Sequence, residues 1–513
     1  MSRQAQGIVV EARSVALPAL ACAWLLVAAF AFQGTRSLWE PDEGRYTAVA
    51  LHMLDSGDWL VPRLNDEQVH LTKPPLTYWA LAASLAAFGR TAWAARLPAA
   101  LAFVASGLLV LVLAHRLVPE ARWLAVAVWS GSPLPLLAAN VVNTDPLLAL
   151  WETLAVTAFV LSRDAARRSA WLLAMWAAFG LGFLTKGPPA LLPLLALVAW
   201  AAAVEGRRAA AALFPPAGLL LFALLGLSWF AAMLVRQPGL LGYFLGDEVV
   251  ARVFTGLHHR NAQWYGPLVV YLPVLTVAML PWLPLLGIGR GELAGLFSAA
   301  AWRRRLAMDP QGALLLLWLL LPLTVFVLAR SRMYLYVLPL AVPLSLLLAR
   351  RLSHRHGHAG PHSLWLGLAL WLALMLLVKA AVAHLPSSKD AAAEAAALSS
   401  WLDGADRIVF VGERAHYGLR LYTGLPVEYA PAAGPDGRPG DLSAQLCTQA
   451  ADHPRALLIG PPGGSPATPP VCPDAALSPL GDHAWRSVAR LPTSHPLPGP
   501  DLGRPVQLHE PTL

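Results

Sequence analysis

The chain has 513 residues, of which 57% are hydrophobic and 13% charged, and its mean hydropathy is +0.54. Soluble globular chains carry about a quarter charged residues, so this composition excludes a soluble fold and indicates a polytopic α-helical membrane protein. The net charge of +8 and isoelectric point near 9.7 call for no nucleic acid. Most basic residues fall in short clusters between apolar spans, as they do in cytoplasmic loops beside an anionic leaflet.

A crossing needs about twenty apolar residues, and that window predicts spans near 14–33, 94–114, 121–139, 146–162, 169–185, 187–204, 209–234, 266–289, 311–329, 334–350 and 363–384. The first carries Arg3 and Arg13 ahead of it, encloses Cys22, and is expected to be a retained helix rather than a cleaved signal. With a cytoplasmic N-terminus, the clusters at Arg116 and Arg122, Arg163 to Arg168, Arg207 and Arg208, Arg290 to Arg305, and Arg350 to Arg355 all face the cytoplasm. The opposite side receives the loop 34–93, the turn 140–145, Lys186, the loop 236–265, the turn 330–332 and the tail. The apolar stretch 76–88 is too short for a comfortable crossing and is expected to be an interfacial or re-entrant helix.

From about residue 386 the pattern changes to strand, helix and strand around 407–412, up to Leu421, and 456–460, which predicts a small C-terminal α/β domain over 386–513 after a membrane domain over 1–385. Cys447 and Cys472 lie in this tail; if it is periplasmic they are either a disulfide or two thiols.

The polar residues of the outer side suggest chemistry. Leu38-Trp-Glu-Pro-Asp-Glu-Gly-Arg-Tyr46 sets Asp42 and Glu43 where a span meets water, followed by Arg45 and Tyr46. Adjacent acids point in different directions, so one serves as base and the other orients a neighbour. Lys73, stiffened by Pro74 and Pro75, is a point charge suited to phosphate, or else a snorkelling interfacial anchor. Asp145, before Pro146, is both a possible helix cap and a second acid facing the same compartment. Lys186 sits in a tight turn, and the order Thr185-Lys186-Gly187 is not a phosphate-binding P-loop. The 236–265 loop supplies Arg252 and Arg260, whose guanidinium forks suit phosphate, while His258 and His259 lack metal-ligand spacing. Arg332 and Tyr336 open the tenth span on the same face.

Taken in order, Pro41-Asp-Glu-Gly-Arg-Tyr46, Ser56-Gly-Asp-Trp59, Lys73-Pro-Pro-Leu76, Ala95-Arg-Leu-Pro98, Asp145-Pro-Leu147, Thr185-Lys-Gly-Pro188 and Tyr336-Val-Leu-Pro339 resemble the GT-C glycosyltransferases of the bacterial aminoarabinose transferase and protein O-mannosyltransferase type. The resemblance covers residues 38 to about 345. It implies a GT-C fold of about 11–13 transmembrane helices in the bacterial inner membrane, taking a sugar from a polyprenyl-phosphate carrier on the periplasmic side. Asp42 and Asp145 would be the catalytic acids; Lys73, Arg252 or Arg260, and Tyr336 would hold the carrier phosphate. Glu43, Arg45, Tyr46, Lys186 and Arg332 would support them. The expected partners are the lipid-linked donor, a lipid or protein acceptor and membrane lipids. No cofactor is firmly implied: the aminoarabinose type tends to carry an acid just before the lysine, and Thr72 here weakens the case for a divalent metal. The alternative is a transporter or flippase. Those tend to hold their polar residues near mid-membrane, whereas these gather at one face.

Overall fold

In a computed structural model of the protein, the described residues are 18–163, 165–255, 260–282, 290–356, 362–431, 442–453, 455–460, 478–483 and 486–490. Helices dominate, each predicted span has a helical counterpart, and among the described residues six helices are long and apolar enough to cross a membrane. Those six are α4 (Ala92–Leu117), α8 (Arg168–Lys186), α10 (Pro216–Arg236), α12 (Pro310–Leu328), the helix Tyr334–Arg355 and Leu366–His384. Shorter apolar helices fill the remaining positions, among them α1 (Pro18–Phe30), α3 (Leu76–Phe88) and α11 (Gly266–Ala278).

The expected span at 121–139 is broken into α5 (Arg122–Ser130) and α6 (Pro133–Ala138). Gly131 interrupts it where a Cβ would run into Leu372, and Pro133 then starts the next helix at a position where its missing N–H costs nothing. Helix α7 (Asp145–Leu161) packs against α4 and α8, and these helices contribute to the large apolar core, which also draws on α12 and Val337 to Leu352. The stretch 76–88 is a thirteen-residue helix, as its length predicts.

Helix α2 (Asp42–Ser56) begins with Asp42 and Glu43 in its first turn and stops at Gly57, whose φ of 71° is the left-handed cap that glycine adopts without a Cβ penalty. The C-terminal domain is a five-stranded sheet in the order β2-β1-β3-β5-β4, with β1 (Arg407–Val411) parallel to β2 (Val427–Ala430) and β3 (Ala456–Ile459). Strands β4 (Ser478–His483) and β5 (Arg486–Arg490) add antiparallel to that edge. Only β1 and β3 were legible beforehand. Cys447 is disulfide-bonded and Cys22 is free; Cys472 lies outside the described residues.

The sheet docks on the segment 34–93. The Glu40 amide donates to Lys389 O at 3.0 Å, the Ala391 amide to Leu38 O at 3.1 Å, and the Asn65 side chain to Val427 O at 3.1 Å. Tyr46, Val49, Leu51, Leu64 and Tyr78 share one buried cluster with Ile408, Phe410, Leu419, Val427 and Leu457. The domain and the segment 34–93 therefore form one body, with α2 at the seam.

Candidate active site

Glu43 is 3% exposed and fully engaged. Arg96 reaches it twice, through Nε at 3.0 Å and an Nη at 2.9 Å; Arg36 binds both carboxylate oxygens; the Trp39 and Val142 amides donate at 2.9 and 3.2 Å. Burial alone would raise the Glu43 pKa, but the two guanidiniums pull it down to about 2. Arg96, itself wholly buried, also holds the carbonyls of Gln33, Arg36 and Ser37. Glu43 thus ties the end of α1, α2, α4 and the 140–142 turn together, and has no lone pair left for substrate. Sequence reasoning quoted Arg96 only as part of a motif and did not assign it this role.

Asp42 is different. Its side chain is half exposed and, among the described residues, pairs only with Arg45, one turn on. Tyr46, beside them, is buried, hydrogen-bonds Thr144, and lies within electrostatic reach of both Asp42 and Asp145; burial, opposed by Arg45, raises its phenol pKa.

Asp145 is not a cap. It is the first residue of α7, and its own amide is satisfied by the Asn143 side chain at 3.0 Å. Its carboxylate instead forms a buried ion pair with Lys186, whose Nζ lies 4.2 Å from the centre of the Tyr336 ring. Lys186 ends α8 because Gly187, at φ 76°, turns the chain out before Pro188 and Pro189. Lys73 donates to Thr72 O at 2.6 Å and faces Glu248 at 3.7 Å. Thr72 is hydrogen-bonded to buried His70 at 2.9 Å. Burial, reinforced by Arg45 and Lys73, holds that histidine neutral.

Lys73, Lys186, Glu248, Ser331, Thr72 and Tyr336 share the lining of one cavity of about 380 Å³. Its remaining walls are apolar, including Phe183, Trp229, Phe230, Phe244 and Phe326. A mostly apolar cavity with two lysines in its lining suits an amphiphile with an anionic head. Glu248 sits on a π-helical stretch, Tyr243–Ala251, a backbone form that often occurs at functional sites.

Arg332 takes a structural part: it donates to the carbonyls of Asn261, Gln263 and Val327 at 2.6, 3.0 and 3.1 Å and so clamps the 260–265 loop. Arg260 comes close to Arg414 of the C-terminal domain rather than lining the cavity. Arg252 begins a short helix after the π stretch, and its side chain is outside the described residues, as are His258 and His259. Three further residues escaped sequence reasoning. Glu152 is a buried acid two turns below Asp145 in α7, and an ionisable group inside a span was itself the signal. Glu40, two residues before α2, gave no signal because its partner Gly418 lies in the tail, and Arg414 gave none because only the docking of the tail brings it toward α2.

The fold is that of a multi-pass membrane protein with a small C-terminal sheet, similar to the aminoarabinose-transferase and protein-mannosyltransferase type. Residues 72–235 match the family model described as dolichyl-phosphate-mannose-protein mannosyltransferase. Undecaprenyl phosphate-alpha-4-amino-4-deoxy-L-arabinose arabinosyl transferase 2 of Sodalis glossinidius is 36% identical over 312 residues, which are 59% of this chain and 54% of that protein. The corresponding transferase of Edwardsiella ictaluri is 34% identical over 312 residues, covering 59% and 53%. The chain thus spans about half the length of the curated relatives it matches. In fold, it superposes on the crystal structure of ArnT from Cupriavidus metallidurans bound to undecaprenyl phosphate with a TM-score of 0.73, at 20% identity, over 92% of this chain and 97% of that one.

Proposed function

We propose that the protein is an inner-membrane glycosyltransferase that moves a sugar from a polyprenyl-phosphate carrier to an acceptor at the periplasmic face, with its N-terminus cytoplasmic and its C-terminal domain periplasmic. The observation that carries this reading is the cavity with mostly apolar walls and two lysines in its lining, one of which pairs with Asp145, while the half-exposed Asp42 and Asp145 both lie in electrostatic reach of Tyr46. The solved relative bound to undecaprenyl phosphate and the arabinosyl transferases named above support the same donor class.

In the proposed reaction the prenyl chain lies along Phe183, Trp229, Phe230 and Phe244, and its phosphate meets Lys73 and Lys186. The acceptor O–H gives its proton to Asp42 as its oxygen bonds to the anomeric carbon from the face opposite the phosphate. The bond from that carbon to the phosphate oxygen breaks, and the phosphate leaves with the electron pair. Configuration is inverted in one displacement. The lysine charges stabilise the leaving group where negative charge grows. Asp145 keeps Lys186 oriented through their ion pair. A transporter would have little need for an acid and phosphate cations arranged on one face.

The test is reconstitution of the purified full-length protein in vesicles with an undecaprenyl-phosphate-linked sugar and an envelope lipid extract. Transfer of sugar mass to an acceptor, with release of undecaprenyl phosphate, is the expected result. A donor that stays intact with every extract would sink the reading.

A further inference from the structure

The cavity lies against one end of α12, where Val325, Phe326 and Ala329 line it. The other end of that span begins at Pro310, about 22 Å back along a helix that rises about 1.5 Å per residue. Just before Pro310 stands the short helix Ala299–Met308, whose N-terminus is capped by the Ser298 hydroxyl accepting from the Ala301 amide at 3.3 Å, and which ends at Asp309.

Helical spacing gives this helix two unlike faces. Trp302, Arg305 and Leu306 share one, and it is turned inward: Leu306 packs on the apolar core, Trp302 donates through Nε1 to Leu296 O at 2.9 Å, and the Arg305 guanidinium lies 5.3 Å from the Trp302 ring centre. The opposite face presents Arg303, Arg304 and Met308 to the outside, with Phe297 just ahead of the helix. Phe297 is 92% exposed and Met308 79%. The position is fixed by its surroundings: Arg351 pairs with Glu292 at 2.8 Å, Arg350 with Asp309 at 2.9 Å, and Trp200 donates to Pro310 O at 2.7 Å. Glu205, at the end of the helix that carries Trp200, is taken by Arg163. These three acids are therefore spent on other arginines. Among the described residues no hydrogen bond or ion pair holds Arg303 or Arg304.

Water suits neither half of the exposed face, since it leaves two neighbouring guanidiniums unpaired and two large apolar side chains wet. The headgroup layer of a bilayer suits both, because phosphate matches the guanidinium fork and the apolar side chains reach the acyl boundary. The place fits as well: the face adjoins the first residue of a span, where hydrocarbon gives way to headgroups.

We infer that Phe297, Arg303, Arg304 and Met308 form an in-plane anchor that binds the headgroup of an anionic glycerophospholipid in the leaflet opposite the cavity. This lipid is a structural ligand, held by arginines at the bilayer surface and remote from the lysines of the cavity. The anchor is independent of the transferase reading.

The experiment is hydrogen exchange, read by mass spectrometry, on the full-length protein in nanodiscs of pure phosphatidylcholine and in nanodiscs with rising fractions of phosphatidylglycerol. Peptides over 296–309 should exchange more slowly as phosphatidylglycerol is added, and raised salt should weaken that protection. Each arginine is worth about fivefold in lipid affinity. Arg303→Gln and Arg304→Gln should therefore each raise the phosphatidylglycerol fraction needed for half protection by about that factor, and the double variant should show no protection at the fraction that protects the wild type. Replacing both by lysine, which keeps the charges, should keep most of it. The side chains replaced are exposed, so every variant should match the wild type in melting temperature and in exchange in pure phosphatidylcholine. Equal exchange over 296–309 in the two kinds of nanodisc, or a double Gln variant protected like the wild type, would overturn the anchor. So would protection by soluble glycerol phosphate without acyl chains, since the face would then serve a free anion.

Discussion

The Glu43 hub and the cavity mouth are both built from ions taken out of water, yet they differ in what those ions have left to do. Glu43 accepts from two guanidiniums and two backbone amides, and Arg96 spends its remaining donors on three carbonyls. At the mouth, Lys73 and Glu248 stand 3.7 Å apart, beyond direct hydrogen-bond distance, and Lys186 balances Asp145 against an aromatic face. A saturated buried charge fixes the scaffold. A pair that a ligand's phosphate can exchange into marks the site. The two neighbouring acids of α2 fall on opposite sides of that division.

Substitution can break the comparison. The largest effect is expected from Asp42→Asn, which removes a general base worth about 10²–10⁴-fold in rate while leaving thermal stability and undecaprenyl phosphate binding near wild type. Glu43→Gln should do the reverse: it strands Arg36 and Arg96 and costs about 3–5 kcal/mol of stability, read as a large fall in the melting temperature of the detergent-solubilised protein. Equal losses of stability in both variants would erase the distinction.

Lys73→Ala and Lys186→Ala come next. Each should weaken undecaprenyl phosphate by about 10–100-fold, the range of one lost charge-assisted contact, measured as a dissociation constant. Acid provides a further contrast. Glu43 has its pKa lowered to about 2 by its guanidiniums, so its contribution to stability is present above the ordinary carboxylate range and is lost as pH falls toward 2. Glu40 runs the other way. Its pKa is raised to about 8, so the folded form holds a proton that the unfolded form releases, and the contribution declines as pH rises from about 4.5 through 8. Hydrogen exchange at the α2–sheet seam should quicken over that interval, and Glu40→Gln should flatten the dependence. This is the smallest effect of the set.

Much of this arrangement was legible in the sequence. Apolar window length located the helices, and the order of Asp42, Lys73, Asp145, Lys186 and Tyr336 singled out residues that the fold brings to one region. The Glu43 network was not legible, because its arginines lie 7 and 53 positions away and pairing at that range depends on how α2 meets α4. Arg414 could not be found either, since 372 positions separate it from Asp42 and only tertiary docking joins them. Strand β4, Ser-Pro-Leu-Gly-Asp-His, lacks the alternation that identifies a half-buried strand and takes its form from pairing with β5. Arg332 was read as a supporting residue of the site, and its three carbonyl partners show that its part is to clamp a loop.

The central claim is that Asp42 carries the chemistry of a transferase. The most direct test is mass spectrometry of envelope lipids and glycoproteins from a strain lacking the gene, complemented with the wild-type chain or with Asp42→Asn at matched membrane abundance. The account predicts an added sugar mass with the wild type and none with the variant. The same envelope profile with and without the gene, or an Asp42→Asn chain that restores the added mass, would contradict it.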